Sequence, residues 1–462
     1  MLSPKTIKEA IGVQPIITPE QLTKIQSWHN YYNGTADHNT RQKNPIPALM
    51  ISKTICGEVS RNVTAEMIVE VQGNDYLNEQ MQAIIDEWDN ITEKAAALGE
   101  TILRPFVYND KILVNAADRT TYFPVRYAAD GTLEAVVFVE YQTVGDYNYI
   151  LFTLCDWIDG TYTITNTAWK SSLQNSVGQK APLTEIEAWK TLEPSSVFYT
   201  SRPLFVAYTA PNSESVFANA VEMIKEADFQ DSRITWENEA GETVIFASSD
   251  MFKDTGFKNP LKPKESVVKY EIPEGKERLY NVGNYSAEGN KIQTHSPSLR
   301  NADLLLRRDD ILRTIESIVG LRKGILSRPA QVEKTATEVE AGAKPFDVLI
   351  GKYKDITKSV LEQLIVVIDE VAQIYSLPSG YEEIVIDLGD SLLISEEQKQ
   401  ANIRENTNQA LVFEQNGKAP DGMAFTYWFK NMPDLQAITK EEIEETRAKF
   451  EGLFVGVGDE EF

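Results

Sequence analysis

The sequence predicts an α+β protein in which helices lie on both sides of a strand-rich segment. Apolar residues recur at helical spacing near the N-terminus, over residues 48–63 and 77–98. Residues 101–200 instead contain short runs of β-branched and aromatic residues separated by turn dipeptides. An apolar stripe over residues 346–375 has the spacing of a long core helix. An antiparallel sheet flanked by helices is the simplest arrangement of these segments.

Composition and charge limit the classes of function. The 462 residues are 42% hydrophobic and 25% charged, which is typical of a folded chain long enough for two or more domains. The 69 Asp and Glu residues outnumber the 45 Lys and Arg residues, and the net charge is −24. Surfaces that grip DNA phosphates concentrate Lys and Arg. This balance therefore argues against tight DNA binding, but not against a surface past which DNA slides.

No signal for secretion or membrane insertion is evident. The N-terminus MLSPKTIKEAIGV has no basic segment followed by an apolar core, and no apolar run reaches the length of a bilayer span. Cys56 and Cys155 lie far apart without nearby metal-type partners, which favours two reduced structural thiols. We therefore expect a soluble protein of the bacterial cytoplasm, or of a particle assembled there.

The N-terminal helices are predicted from apolar spacing and from the residues at their ends. They are residues 4–11, 19–32, 48–63 and 77–98. The first two have proline at or near the first turn, where its missing N–H costs no hydrogen bond. Asn44-Pro45-Ile46-Pro47 separates the second helix from the third, and Gly99 ends the fourth.

The strands are predicted to form hairpins. The runs that favour strands are residues 102–107, 112–115, 135–141, 149–154 and 161–168. The turn dipeptides in this segment are Asn109-Asp110, Asp130-Gly131, Gly145-Asp146 and Asp159-Gly160. Dipeptides of this kind favour tight turns between antiparallel strands.

Residues 212–239 predict a helix with two unlike halves. An apolar stripe that includes Phe217 and Ile224 fills the first half, whereas the second half is polar, with Ile234 and Trp236 isolated. A helix whose apolar stripe ends midway packs on that core only along its first half. We expect another part of the protein to cover the second half. The Gly- and Pro-rich residues that follow, up to the next helix, predict a short-stranded excursion.

The C-terminal part is predicted to contain one strand and three helices. The strand is residues 383–387, and the helices are residues 395–415, 423–429 and 439–450. Ser395 and Gln398 form a capping-box pattern at the start of the first of these helices.

A basic loop, residues 321–334, joins two helical segments. It contains Arg322, Lys323, Arg328 and Lys334, and no aromatic residues are interleaved with them as in tight single-strand binders. Two explanations remain open. Such cations usually form a solvated surface, but they also suit weak, salt-sensitive contact with nucleic-acid phosphates.

The order of elements over residues 298–375 resembles that of a known family. A helix, the basic loop and a long helix follow one another, and the phrase KTATEV, residues 334–339, precedes the long helix. This order resembles the C-terminal half of portal proteins from tailed bacteriophages of the siphophage, Gram-positive-host type. Portal proteins form the ring through which DNA is pumped into a capsid. Residues 342–345, Gly-Ala-Lys-Pro, depart from the resemblance, since they interrupt a region where related chains often continue a helix.

The resemblance implies a portal-like α+β fold with a helix-rich wing that carries a β-rich insertion, a two-helix stem, a small α/β clip and a helical crown. The implied limits are residues 1–211 for the N-terminal wing, 212–240 for the first stem helix, 241–298 for the clip, 299–320 for the second stem helix, 321–337 for the channel loop, 338–390 for the long wing helix and strand, and 391–462 for the crown. The residues implied on the DNA-channel loop, which projects into the central channel, are Arg322, Lys323, Arg328 and Lys334. The residues implied on the stem are Asp228, Ser232, Trp236, Arg307 and Arg308.

The function that the resemblance implies is that of a portal at one capsid vertex of a virion assembled in the bacterial host cytoplasm. Its implied partners are about a dozen copies of itself in a closed ring, double-stranded DNA passing through the channel, the terminase large subunit, the head–tail adaptor, and the major capsid and scaffold proteins. No membrane is implied. The alternative is another virion structural protein, such as a head–tail adaptor or a baseplate component.

Enzyme signatures do not stand out in the sequence. There is no G-x-x-x-x-G-K-[ST] phosphate loop and no G-x-S-x-G elbow, and the three histidines are too scattered for an H-E-x-x-H zinc site. The acidic pairs Asp86-Glu87 and Asp309-Asp310 are better explained as solvated helix faces than as a two-metal nuclease site. We therefore expect no enzymatic activity, no cofactor and no metal. A nuclease with scattered carboxylates is the weaker alternative.

Overall fold

Helices and antiparallel sheets occur in the mixture that the sequence predicts. This computed structural model describes residues 2–172, 177–241, 243–247, 279–281, 292–328 and 336–389. It is 44% helical and 26% strand, which confirms the mixed α and β class. The α-helices within these ranges are α1 (Pro4–Ile11), α2 (Pro19–Tyr32), α3 (Asp37–Thr40), α4 (Ile51–Thr64), α5 (Asp75–Ile85), α6 (Trp88–Leu98), α7 (Val221–Ala240), α8 (Asn301–Val319) and α9 (Ala336–Ile374).

The strands of the described ranges pair in four sheets. They are β1 (Ile68–Gln72), β2 (Glu100–Tyr108), β3 (Lys111–Asp118), β4 (Tyr122–Tyr127), β5 (Leu133–Val144), β6 (Tyr147–Ile158), β7 (Thr161–Ser171), β8 (Gln179–Ala181), β9 (Ser195–Tyr199), β10 (Val206–Thr209), β11 (Val244–Ala247), β12 (Leu279–Asn281), β13 (Ile292–His295) and β14 (Glu383–Asp387). The largest sheet has the order β4-β5-β6-β7-β8, and β9 pairs with a separate part of β7. The other sheets are β10-β2-β3, β12-β11-β13 and β1-β14.

The predicted hairpins are confirmed. Every predicted run lies within β2, β3, β5, β6 or β7, and these strands pair antiparallel. Asn109 and Asp110 have positive φ angles of 51° and 58°, and Asp159 and Gly160 have 46° and 82°. Two consecutive residues with positive φ form the turn whose twist matches that of the paired strands. The sequence missed β1, β4 and β8 to β10, because short strands carry little pattern of their own.

The single helix predicted over residues 77–98 is wrong, because α5 and α6 replace it. The break falls at Asp86 and Glu87. Trp88, the first residue of α6, is fully buried, and its ring stacks on that of Tyr208 at 5.9 Å. The two helices pack against different elements, since α5 packs on β1 and α6 packs on α4.

Helix α7 begins at Val221, not at residue 212 as predicted. The backbone N–H of Ala210 donates to the carbonyl of Gly99, and that of Val216 donates to the carbonyl of Ala96. The N–H of Val216, which lies within the predicted helix, is therefore taken up by α6 instead of by a helical ladder. Satisfying backbone groups through tertiary contacts overrides the helical spacing here.

Helix α9 contributes to two apolar cores. One core combines α5, α6, β2 and β10 with the second half of α9, where Val360 and Leu364 are buried. The other combines α2, α4, α7 and α8 with the first half of α9, where Phe346 and Tyr353 are buried. The apolar stripe predicted for residues 346–375 is confirmed as a core face.

The interruption predicted at residues 342–345 is wrong. Helix α9 runs from Ala336 to Ile374 with Pro345 inside it. A proline removes one hydrogen bond from the helix ladder. Phe346 directly after it and Ile350 one turn later are both buried, and they pack into the core and hold the helix in place.

The remaining sequence predictions concern the C-terminal elements and the cysteines. The strand predicted at residues 383–387 is confirmed as β14. The three helices predicted after it, and the whole predicted crown, lie outside the described residues. Cys56 and Cys155 are buried free thiols, as predicted, and burial raises the pKa of both. None of the helices in the described ranges is long and apolar enough to cross a bilayer.

Replacing Trp88 by Ala tests the core around α6. Trp88 packs against Tyr208, whose hydroxyl shares a 2.7 Å hydrogen bond with Thr357 of α9. We expect the free energy of unfolding, measured by urea denaturation and circular dichroism, to fall by about 3–5 kcal/mol because a large cavity forms. Tyr199→Ala is the control, at a position that is 86% exposed, and should change it by less than about 0.5 kcal/mol. Equal losses in the two variants would contradict this core.

Candidate nucleic-acid interface

Helices α7 and α8 form an antiparallel hairpin where the stem is predicted. Their contacts run in opposite directions along the chain: Glu237 pairs with Arg300 at 2.8 Å, and Asp231 pairs with Arg308 at 2.7 Å. The outer part of the hairpin is therefore held largely by polar contacts. Apolar periodicity does not detect such contacts, which explains why the polar half of α7 shows no stripe.

The polar half of α7 begins with a buried carboxylate. Asp228 is 3% exposed, and it accepts hydrogen bonds from His38 Nε2 and from the backbone N–H of Leu49, each at 2.9 Å. Asn39 Nδ2 lies 3.3 Å from the same carboxylate, and the His38 ring stacks on Phe229. The cover that the sequence pattern implies for this half is thus provided, around Asp228, by the segment between α2 and α4.

The other residues predicted for the stem differ in their surroundings. Ser232 is half-buried, and Trp236 is 64% exposed. Arg307 pairs with Asp310 on its own helix at 2.8 Å, whereas Arg308 reaches across to α7. Arg308 therefore joins the two helices, while Trp236 and Arg307 face solvent in the single chain.

The connector, defined as residues 321–328, is tied to the end of α8 by one buried carboxylate. Glu316 is fully buried, and its Oε1 accepts backbone N–H groups of Gly324 at 3.0 Å, Leu326 at 2.7 Å and Ser327 at 2.9 Å. The hydroxyl of Ser327 donates to Oε2 at 2.8 Å. A buried carboxylate requires such donors, and together they fix the path of the connector.

The predicted channel-loop cations are held to different degrees. Arg322 pairs with Asp347 of α9 at 3.0 Å, and its guanidinium lies 5.3 Å from the ring centroid of Phe346. Lys323 and Arg328 are exposed, and neither makes an ion pair with any described residue. Lys334 lies outside the described ranges.

The loop is expected to project, but the connector folds back along α8. Leu321 and Ser327 are buried, and the backbone N–H of Arg328 donates to Asp309 at 2.7 Å. The described residues of the loop therefore pack along α8, and the projection of the loop into a channel stays a prediction. Contact between their cations and DNA stays a prediction.

Sequence reasoning missed the carboxylates that hold the connector. The sequence predicts that Asp309 belongs to a solvated pair, but its side chain is only 14% exposed and pairs with Arg313 at 2.8 Å. Glu316 offered one signal, because it is an acidic residue in the last turn of α8, where the negative end of the helix dipole disfavours it. An acid retained in such a place indicates a specific partner, although not which one.

Comparison with known proteins gives structural likeness only. No protein-family model matches the chain, and no curated protein does. The chain is similar to one in the neck of a native gene transfer agent particle, computed with C12 symmetry, at a TM-score of 0.39 and 10% identity over 92% of this chain and 99% of that one. It is also similar to a chain of a native gene transfer agent virion, at a TM-score of 0.32 and 9% identity over 82% of this chain and 100% of that one. These scores are too low to assign a fold or a function.

Glu316→Gln tests the carboxylate that anchors the connector. Gln keeps the size of the side chain but offers one acceptor oxygen in place of two, so at least one buried donor loses its partner. We expect hydrogen–deuterium exchange of the connector amides to accelerate at least about tenfold. Asp310→Asn, at an exposed position of the same helix, should leave exchange unchanged. Unaltered protection in the Glu316 variant would rule out the anchoring role.

The pair between Glu237 and Arg300 predicts a pH dependence of the hairpin. Two hydrogen bonds from the Arg300 guanidinium hold the pKa of the Glu237 carboxyl below its usual value of 4.5. Because the folded-state pKa is lowered, the stabilisation is present above about 4.5 and is lost as the pH falls through the folded value.

Glu237→Gln should therefore lower the thermal midpoint slightly at pH 7, and the difference from the natural chain should shrink steadily below pH 4.5. Calorimetry at a series of pH values measures it. Thr235→Ser, an exposed change on the same helix that alters no titratable group, is the control and should show no such trend. A difference that stays constant with pH would argue against the pair.

Proposed function

We propose that this chain is a structural protein of a phage-like virion, and within that class the subunit of a portal ring through which double-stranded DNA passes. The sequence resemblance over residues 298–375 suggests the family. The main structural support for the proposal is that large apolar side chains on the α7–α8 hairpin are exposed to solvent. The proposal includes no catalytic step, no cofactor and no membrane.

The apolar surface of the hairpin needs a partner. Trp236 on α7 is 64% exposed, Leu306 on α8 is 69% exposed, and Leu299 just before α8 is also exposed. Burying aromatic and aliphatic side chains of this size is a main source of binding free energy. A second copy of the chain is the partner that suits them. In a closed head-to-tail ring, every copy presents one flank of the hairpin to the next copy.

The charge of the hairpin suits a channel wall. Helix α7 contains six acidic and two basic residues, but Asp228 is buried and Asp231 and Glu237 are paired with arginines. The negative field of the wall therefore comes mainly from the whole chain, which carries −24. A wall of this sign repels the DNA backbone, so that duplex passes without being held. Residues 329–335, including Lys334, lie outside the described ranges. We propose that this part of the predicted channel loop projects into the channel.

The remaining partners follow from the portal proposal. The terminase large subunit docks during packaging and the head–tail adaptor docks afterwards, both at the clip, residues 241–298. Major capsid and scaffold proteins surround the wing at one capsid vertex, and assembly occurs in the bacterial cytoplasm.

One observation favours the alternative, a different virion structural protein such as a head–tail adaptor or baseplate component. The connector folds back along α8 through Glu316, so the described part of the predicted channel loop packs on its own chain. The two functions differ in DNA packaging, because loss of a portal stops DNA entry into the capsid, whereas loss of an adaptor leaves filled heads without tails.

Electron microscopy of the purified full-length chain tests ring formation. We expect annular particles of about a dozen subunits with a central hole in negative stain. Trp236→Ser with Leu306→Ser should shift the chain towards monomers, because each copy then loses two apolar contacts with its neighbour. Size-exclusion chromatography with light scattering measures the shift.

The matched control for this experiment is Tyr141→Ser with Val144→Ser, two exposed apolar residues on β5. It removes similar apolar surface away from the hairpin and should leave ring formation intact. A monomeric natural chain at high concentration would rule out the ring, and equal losses in both double variants would rule out the hairpin as the contact.

A further inference from the structure

A concave pocket lies between the outer side of α8 and the connector. Its volume is about 460 Å³, and its wall includes Arg313, Thr314 and Ser317 from α8, and Lys323, Ser327 and Arg328 from the connector. Three cations and three hydroxyl groups therefore line it. No carboxylate from the described residues does so.

The positive charge of this pocket is only partly compensated. Arg313 pairs with Asp309 at 2.8 Å, which occupies part of its guanidinium and leaves other N–H groups for a ligand. Lys323 and Arg328 make no ion pair with a described residue. These exposed cations belong to a chain whose net charge is −24.

Two carboxylates beneath the pocket hold its walls in position. Asp309 accepts both the Arg313 side chain and the backbone N–H of Arg328, so it joins α8 to the far end of the connector. Glu316 accepts the backbone N–H groups of Gly324 and Ser327, which lie between Lys323 and Arg328. The backbone that carries the two cations is thus fixed before any ligand arrives, and a fixed backbone reduces the ordering cost of binding.

We propose that this pocket binds a phosphate oxyanion, through Lys323 and Arg328 with help from Arg313. Arginine presents planar N–H pairs that match phosphate oxygens, lysine adds a compact charge, and the exposed hydroxyl of Ser317 is a further donor. Two sources present this chemistry, namely free phosphate and the phosphodiester backbone of DNA. Only the second source rests on the proposed function as a DNA conduit.

Lys323 also lies just after the C-terminal end of α8, where its charge offsets the negative end of the helix dipole. A purely structural role would lower stability on neutralisation without any effect on ligand binding. The experiment therefore measures binding and thermal stability side by side.

The test titrates inorganic phosphate into the full-length chain at low ionic strength by isothermal calorimetry, because salt screens exposed charges. Lys323→Gln with Arg328→Gln should raise the dissociation constant for phosphate at least about tenfold, since two charge-assisted contacts are lost. Lys94→Gln with Lys358→Gln, two exposed cations on α6 and α9, makes the same change in net charge and should leave binding unaltered. Lys323→Arg with Arg328→Lys should retain binding and shows that the site tolerates substitution.

A second arm adds a short labelled DNA duplex and follows fluorescence anisotropy. Duplex that competes with phosphate, and loses affinity in the Lys323 and Arg328 variant, assigns the pocket to the DNA backbone. Phosphate binding without duplex binding supports the pocket and assigns it to a free oxyanion. No phosphate binding by the natural chain, or equal weakening in both glutamine variants, overturns the inference. Rings without phosphate binding would overturn the pocket and leave the proposed ring function standing. Phosphate binding by a chain that stays monomeric would support the pocket and overturn the proposed ring function.

Discussion

The burial of the apolar face of α9 is the constraint on which the rest of the structure depends. Tyr353 lies in the core beneath α4, α7 and α8, and Leu364 lies in the core beneath β2 and β10. Each large apolar side chain removed from water stabilises the fold by about 1.5–3 kcal/mol. Because one rigid helix supplies side chains to both cores, the sheet-bearing half of the molecule and the α7–α8 hairpin cannot be positioned independently.

Buried carboxylates then fix the parts that apolar packing leaves loose. Asp228 ties the segment after α2 to α7, and Glu316 ties the connector to α8. A buried carboxylate without donors is costly, so each of these groups specifies which backbone must lie beside it. The hairpin and the connector are therefore placed by directional hydrogen bonds, whereas the cores around them are placed by burial.

These placements leave two features on the surface that the single chain does not use. The hairpin exposes Trp236 and Leu306, and the pocket beside the connector presents Lys323 and Arg328. The first suits a neighbouring copy, and the second suits a phosphate group. The two features lie on the α7–α8 hairpin and on the connector that follows α8, so a ring built through the hairpin would repeat the cationic pocket once in each subunit.

The sequence by itself determined the element types. Apolar spacing gave the long core face of α9, and turn dipeptides such as Asp159-Gly160 gave the hairpins, because both patterns act over a few neighbouring residues. Only the tertiary structure decided where elements end and where polar side chains point. The break before Trp88, the passage of α9 through Pro345 and the folding of the connector onto Glu316 all depend on partners far away in the chain, and local sequence carries no record of such partners.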